Sequence, residues 1–187
     1  MCNLYRLEKA PAAIAQLARA MTYPEGVPNF RPGDVRITDM APIVRLGAAP
    51  SWELVQRRWS WPGPSGKPVY NFRSEGRAFG ANRCLIVTDG FYEFTTPADP
   101  KQKRKDRWLF TLPDAGVFAI AGIWRESPAG EAFTMLTTAP GPDVAPYHSR
   151  QVVVLEPAAW EGWLDPAADA ARFLAPLPAG TLNVAPA

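Results

Sequence analysis

Short apolar runs, broken again and again by proline or glycine, set the rhythm of this chain. Residues 2–7 read as a short extended start. Residues 11–21 place Ile14, Leu17, Ala18 and Met21 at helical spacing behind Pro11, which suits a first helical turn, so an amphipathic helix is expected there. Residues 23–34 are coil. Residues 35–38 and 43–46 are short strand candidates split by Met40, Ala41 and Pro42, and 53–59 reads as another strand. Residues 61–68 (Trp-Pro-Gly-Pro-Ser-Gly-Lys-Pro) predict a loop without regular structure, and 70–75 leads out of it as an extended segment.

Two strands follow over 83–88 and 90–95, with Asp89-Gly90 as a turn signal between them. Residues 97–106 are a polar, basic excursion. Residues 107–112, 117–124 and 133–138 look like successive strands, joined as hairpins by turns at 113–116 and 127–130. A loop over 139–150 leads into a strand at 151–155. Pro157 then opens a helix with Trp160, Trp163 and Leu164 on one face, a last helix covers 167–174, and a proline-rich tail closes the chain. Many strands, few helices and no strand–helix alternation predict an α+β, β-rich fold of curved antiparallel strands, barrel-like, with peripheral helices.

Composition narrows this picture. A chain of 187 residues with 47% hydrophobic content fits one domain over 1–187 with a substantial core. Twenty basic against eighteen acidic residues leave a net charge of +2, so any nucleic-acid contact must come from a local patch. Two cysteines make no disulfide framework and fit a reducing compartment. No run approaches the roughly 18 apolar residues of a membrane span. The expectation is a soluble, cytoplasmic, monomeric protein that makes no membrane contact.

Cys2 is one bond away from being an N-terminal residue, and methionine removal is favoured before a small side chain. The product would be a 1,2-aminothiol. Its amine forms a Schiff base with an aldehyde, and its thiol closes on the imine to give a thiazolidine ring. The α-amine, with a reference pKa of about 7.7–8.0, is partly neutral at cellular pH. The thiol, at about 8.5, needs only a modest push to ionise. Asn71, Arg73 and Glu75 alternate along one face of an extended segment. Glu93 is an acid among aromatics in Gly90-Phe-Tyr-Glu-Phe94, where burial would raise its pKa. His148 is the only histidine and stands in the loop Pro146-Tyr-His-Ser-Arg150. The run Lys101-Gln-Lys-Arg-Lys-Asp-Arg107 reads as a solvated hairpin loop, with a phosphate track as its other reading. Cys84 lies in an apolar run and reads as a buried small hydrophobe. A zinc site built from Cys2, Cys84, Glu93 and His148 lacks any close ligand pairing, so neither a metal nor a cofactor is expected.

Taken in order, these pieces resemble the SOS response-associated peptidase (SRAP) family, whose members sense abasic sites in single-stranded DNA. Met1-Cys2 matches the family's start, Asn71-Phe-Arg-Ser-Glu75 its Asn-x-Arg-x-Glu segment, and Arg83 to Phe94 its longest signature, which usually closes with Trp where this chain has Phe94. Phe118 to Trp124, then Thr137, Thr138 and Ala139, then His148, Ser149 and Arg150 follow in the family's order. The start departs from the pattern: the family often reads Cys-Gly-Arg, where this chain has Cys2, Asn3 and Leu4.

The resemblance implies single-stranded DNA containing abasic sites as partner, captured covalently by processed Cys2. Asn71 would hold the Cys2 amine or the sugar, Glu93 would shuttle protons, and His148 would act as general acid/base near the sugar oxygen. Arg73, Arg77 and Arg150 would take phosphates, and Trp59 and Trp61 would stack on or wedge between bases. Self-reversal of the crosslink and autoproteolytic removal of Met1 belong to the same reading. Two other classes stay open at this point: an N-terminal-nucleophile cysteine amidohydrolase, and a DNA-binding module in which Cys2 is inert.

Overall fold

Runs that are apolar throughout become the central strands of this protein, and runs of mixed exposure become its rims. Every residue from Arg83 to Thr88 is buried, whereas only Phe110 is fully buried between Asp106 and Thr111. The computed structural model describes residues 2–9, 21–26, 29–47, 51–113 and 116–187. The helix expected over 11–21 lies outside them except for Met21, which belongs to a strand.

The strands are β1 (Leu4–Arg6), β2 (Met21–Thr22), β3 (Asp34–Arg36), β4 (Met40–Leu46), β5 (Trp52–Trp59) and β6 (Trp61–Pro62). Next come β7 (Pro68–Val69), β8 (Asn71–Arg73), β9 (Arg83–Thr88), β10 (Gly90–Thr95) and β11 (Asp106–Thr111). The last are β12 (Phe118–Arg125), β13 (Ala132–Thr138), β14 (Gln151–Val152), β15 (Val154–Leu155) and β16 (Asn183–Pro186).

The larger sheet runs β14-β13-β12-β9-β4-β5-β2, and an extra pairing of β13 with β5 closes β13, β12, β9, β4 and β5 into a ring. The barrel-like expectation is therefore met. Closure leaves those strands no free edge. A second sheet, β16-β11-β10-β1-β3, is antiparallel throughout. One apolar core, including Trp59, Phe91, Phe110, Phe118, Phe133 and Trp163, joins the two. The helix α1 (Trp160–Leu164) buries Trp160, Trp163 and Leu164, and the Trp163 indole N–H donates to the Cys84 carbonyl at 2.9 Å. Cys84 is buried, as expected of a small hydrophobe. No helix among the described residues is long and apolar enough to cross a membrane.

Several local expectations give way. The pairings β13–β5, β13–β8 and β2–β5 are parallel rather than antiparallel. Met40, Ala41 and Pro42 do not split a strand but open β4. Pro42 falls just outside the Ile43–Arg45 stretch that pairs with β9, an edge position on that side where a missing N–H is tolerated. Residues 61–68 are not structureless, because Trp61–Pro62 pairs with Pro68–Val69. The segment around 113–116 does not join a hairpin: β11 belongs to the second sheet and β12 to the barrel. Residues 151–155 form two short strands interrupted at Val153, the helix expected at 167–174 is a 3₁₀ turn over Ala170–Phe173, and the tail contains β16.

Candidate active site

The chain changes sheets at Thr88-Asp89-Gly90, passing from β9 in the barrel to β10 in the second sheet. What reads in sequence as a turn is also the anchor of the N-terminal strand. The buried Asp89 carboxylate is ion-paired with Arg6 and accepts the backbone N–H groups of Glu8 and Lys9 at 2.6 and 2.7 Å. Thr88 Oγ1 lies 2.6 Å from the Arg6 carbonyl. Gly90 is required for close packing, since a Cβ there would lie 2.7 Å from Leu109 Cδ1 and 3.2 Å from the Phe110 carbonyl. Asp89→Ala would orphan both amides and the Arg6 charge. The expected result is a loss of about 1–3 kcal/mol of stability and faster amide exchange over residues 4–9, measured by hydrogen exchange.

So anchored, β1 lies between β10 and β3, with Tyr5 opposite Phe91. Cys2, just ahead of β1, is 1% exposed, and its thiol donates to the Leu4 carbonyl at 3.3 Å. Its backbone nitrogen donates to the Glu93 carboxylate. From the barrel side, Asn71 on β8 donates its side-chain N–H to the Cys2 carbonyl at 2.7 Å. Among the described residues, the Asn71 Oδ1 is buried without a hydrogen-bond partner. Three residues far apart in sequence thus meet at the backbone of Cys2.

The electrostatics depart from the sequence expectation at one point. Burial, and then the negative charge of Glu93, push the Cys2 thiol well above its ordinary pKa, so at rest it is a neutral thiol rather than one close to ionising. Glu93 behaves as expected. Burial pushes its carboxyl up to about 7, while the positive charge of the amino terminus and the Cys2 N–H pull the other way. A carboxyl near neutrality beside an amine can take and return a proton at cellular pH.

His148 occupies the 139–150 loop, which is more ordered than its proline and glycine content suggests. The Ala145 and His148 N–H groups close helical turns on the Gly141 and Val144 carbonyls, and Val144 is fully buried. Tyr147 packs its ring 4.8 Å from Trp108, the residue directly opposite Glu93 on β11. His148 Nδ1 lies 3.0 Å from the Arg150 N–H. Burial lowers the imidazole pKa, and the amino-terminal charge lowers it further, so the ring is neutral at pH 7. Glu93 and His148 therefore both feel the charge at the start of the chain.

The DNA-contact residues expected from the sequence divide. Arg73 and Arg77 are exposed, with the Arg77 guanidinium 4.5 Å above the Phe72 ring. Arg150 is half-buried. It is ion-paired with Glu75, and its Nη2 donates to the Thr137 carbonyl at 2.8 Å, so it braces the histidine loop against the 71–75 segment. Trp59 and Trp61 are not surface rings. Trp59 is fully buried, gives its indole N–H to the Tyr70 carbonyl at 2.9 Å and sits 5.3 Å from the Tyr5 ring. Trp61 is 4% exposed under the Arg125 guanidinium. Trp59 is therefore core and not free to stack on a base, while Trp61, covered on one face by Arg125, lines a pocket of about 250 Å³ with Phe72 and Phe79. Trp59→Ala is expected to cost about 3–5 kcal/mol of stability in thermal melts, as a core deletion.

Asp89 is a further site-building residue, and its sequence signal, an acid before glycine, is indistinguishable from an ordinary turn. Together the geometry offers a nitrogen, a thiol, a carboxyl whose pKa is near neutrality, an amide side chain that holds the Cys2 carbonyl, and a neutral imidazole nearby.

Comparison with known proteins gives a consistent set of likenesses. A family model described as SOS response associated peptidase (SRAP) matches residues 1–187. The chain is 30% identical over 95 residues to the abasic site processing protein YobE of Bacillus subtilis; the match covers 48% of this chain and 42% of that protein, less than half its length. Among solved structures, a protein from Bordetella bronchiseptica superposes with a TM-score of 0.79 at 27% identity over 100% of this chain and 99% of the other. A protein from Bacteroides thetaiotaomicron (TM-score 0.76, 17% identity, 99% and 91% covered) and a phage-related protein from B. bronchiseptica (0.74, 20%, 100% and 94%) share the fold.

Proposed function

The chain belongs to the SOS response associated peptidase (SRAP) family, and from that premise we propose that it binds single-stranded DNA and captures abasic sites covalently through Cys2 once Met1 has been removed. The observation that carries this reading is the meeting of Glu93 and Asn71 at the backbone of Cys2. Removal of Met1 turns that backbone nitrogen into the α-amine, already beside a carboxyl whose pKa is about 7.

The reaction balances as follows. Neutral His148 takes the proton of the anomeric hydroxyl and opens the sugar to its C1 aldehyde, a proton ending on the ring oxygen. The Cys2 amine attacks that carbon; ionised Glu93 takes one proton from the nitrogen and delivers it to the carbonyl oxygen, giving a carbinolamine. Glu93 then relays the second nitrogen proton to that hydroxyl, which leaves as water, giving an imine. The Cys2 thiol then adds across the imine: a carbon–sulfur bond forms and the thiol proton ends on nitrogen. One water is lost overall, and no oxidant or reductant is needed. A thiol that rests neutral suits this order, because it adds only after the imine exists. Asn71, by holding the Cys2 carbonyl, keeps the Cys2 backbone in place beside Glu93. Run backwards, the same groups release the DNA. Arg73 and Arg77 remain the exposed candidates for phosphate contact. An activity on DNA fits a cytoplasmic protein that sits on the nucleoid when bound.

The test is a denaturing gel of wild-type protein with single strands that do or do not carry one abasic site. A shifted band that requires the lesion and forms without borohydride supports the reading. No band, together with turnover of an amide substrate, would replace it with an N-terminal-nucleophile amidohydrolase.

A further inference from the structure

The densest basic run in the chain, Lys101 to Arg107, has no part in the chemistry above. It links β10 to β11, whose last paired residues are Thr95 and Asp106. Arg104, Lys105 and Arg107 do not splay into solvent at random: with Phe94 and Ala187 they line a pocket of about 500 Å³. Phe94 follows Glu93 directly and pairs with Arg107, so both point to the face of the ribbon away from Glu93. Arg107 is held there by Asp34 at 3.6 Å and by the Tyr92 ring at 4.8 Å. Lys105 stands at the ribbon's end, just before β11, close enough to His148 for its charge to act on the imidazole. Among the described residues neither Arg104 nor Lys105 is ion-paired with a carboxylate. Cations therefore run from the histidine around the end of the β10–β11 ribbon into a pocket with an aromatic wall.

We propose that this run is a phosphate track, in which Arg104, Lys105 and Arg107 hold the backbone of the single strand as it leaves the lesion site and Phe94 packs against a sugar or base. A protein with a net charge of only +2 has little general attraction for a polyanion, so this cluster is where the attraction is concentrated. The inference rests on the single-stranded DNA reading above and adds the path of the strand.

The experiment compares wild type with R104Q/K105Q on an undamaged single strand, by fluorescence anisotropy across a salt series. Arg172→Gln, an exposed charge on the 3₁₀ turn Ala170–Phe173, controls for net charge. Each phosphate contact contributes about 0.7 to the slope of log affinity against log salt for single strands, so the double variant is expected to flatten the slope by about 1.4. Its rate of capturing an abasic strand at low protein concentration is expected to fall in parallel at low salt and to rejoin wild type at high salt. Both substitutions are exposed, so melting temperature is expected to hold. Equal slopes for wild type and double variant, or an equal loss in Arg172→Gln, would overturn the track while leaving the capture reading intact. A wild-type protein that binds neither undamaged nor abasic strands would overturn both.

Discussion

Cys2→Ala is expected to abolish the denaturation-resistant adduct with abasic DNA, lowering its rate by more than about a thousandfold, the scale on which removal of a covalent nucleophile acts. The effect separates the two functional groups of one residue. Alanine at position 2 keeps an α-amine beside Glu93, so an imine still forms and borohydride is expected to trap it. What disappears is the thiol that closes the ring, and with it the adduct that needs no reductant. Reversible binding to an undamaged strand is expected to persist, because the Cys2 side chain is buried against the core and offers no exposed surface to DNA. The measurement is a pair of denaturing gels, with and without borohydride, beside an anisotropy titration. Loss of binding in the variant would point to a structural role for the thiol instead.

Glu93→Gln tests the proton carrier, and its rate of adduct formation is expected to fall by about 10²–10⁴. The pH dependence is the sharper signature. The Glu93 carboxyl ionises at about 7, so the wild-type rate is expected to climb as pH rises through that value, and the variant to show no such step. Stability runs the opposite way. The carboxyl has its ordinary pKa of 4.5 when unfolded and about 7 when folded, so the folded state holds the extra proton between those values. Its stabilising contribution is complete below 4.5 and is lost as pH rises through 7. Glutamine carries no charge to desolvate. Glu93→Gln is therefore expected to melt above wild type at pH 8, with the gap closing toward pH 5. Lower activity with higher stability is the mark of a group held in an unfavourable environment for chemistry; lower activity with lower stability would mark a plain packing residue.

How much of this was legible beforehand depends on the range of the interaction. The strands Arg83–Thr88 and Gly90–Thr95 were readable to the residue, because an apolar run bounded by turn residues is a local signal. The partners of those strands were not readable. That β9 and β10 belong to different sheets, and that β13 closes a barrel by lying parallel to β5, are facts about residues distant in sequence. Trp59 shows the cost: its strand was evident, but only the pairing with β13 and the rings of Tyr5 and Tyr70 decide that it is core. The site divides the same way. Cys2, Asn71, Glu93 and His148 could be singled out by chemistry and by family resemblance. The contact of Asn71 with Cys2 spans 69 positions, and the anchoring of Glu8 and Lys9 by Asp89 spans 81 and 80. No periodicity encodes such contacts. Burial of Cys2 also reverses the expected direction of its thiol pKa, which no count of neighbours in sequence could reveal.

If one residue supplies both the nitrogen and the sulfur of the linkage, mass spectrometry of the adduct will show it. Wild-type protein would be reacted with an abasic single strand without reductant, digested with trypsin and nuclease, and the N-terminal peptide weighed. The expected peptide begins at Cys2 and ends at Arg6, carrying the ring-opened sugar less one water, with no free thiol and no free primary amine. A peptide that retains Met1, or an adduct whose thiol still reacts with an alkylating agent, would contradict it.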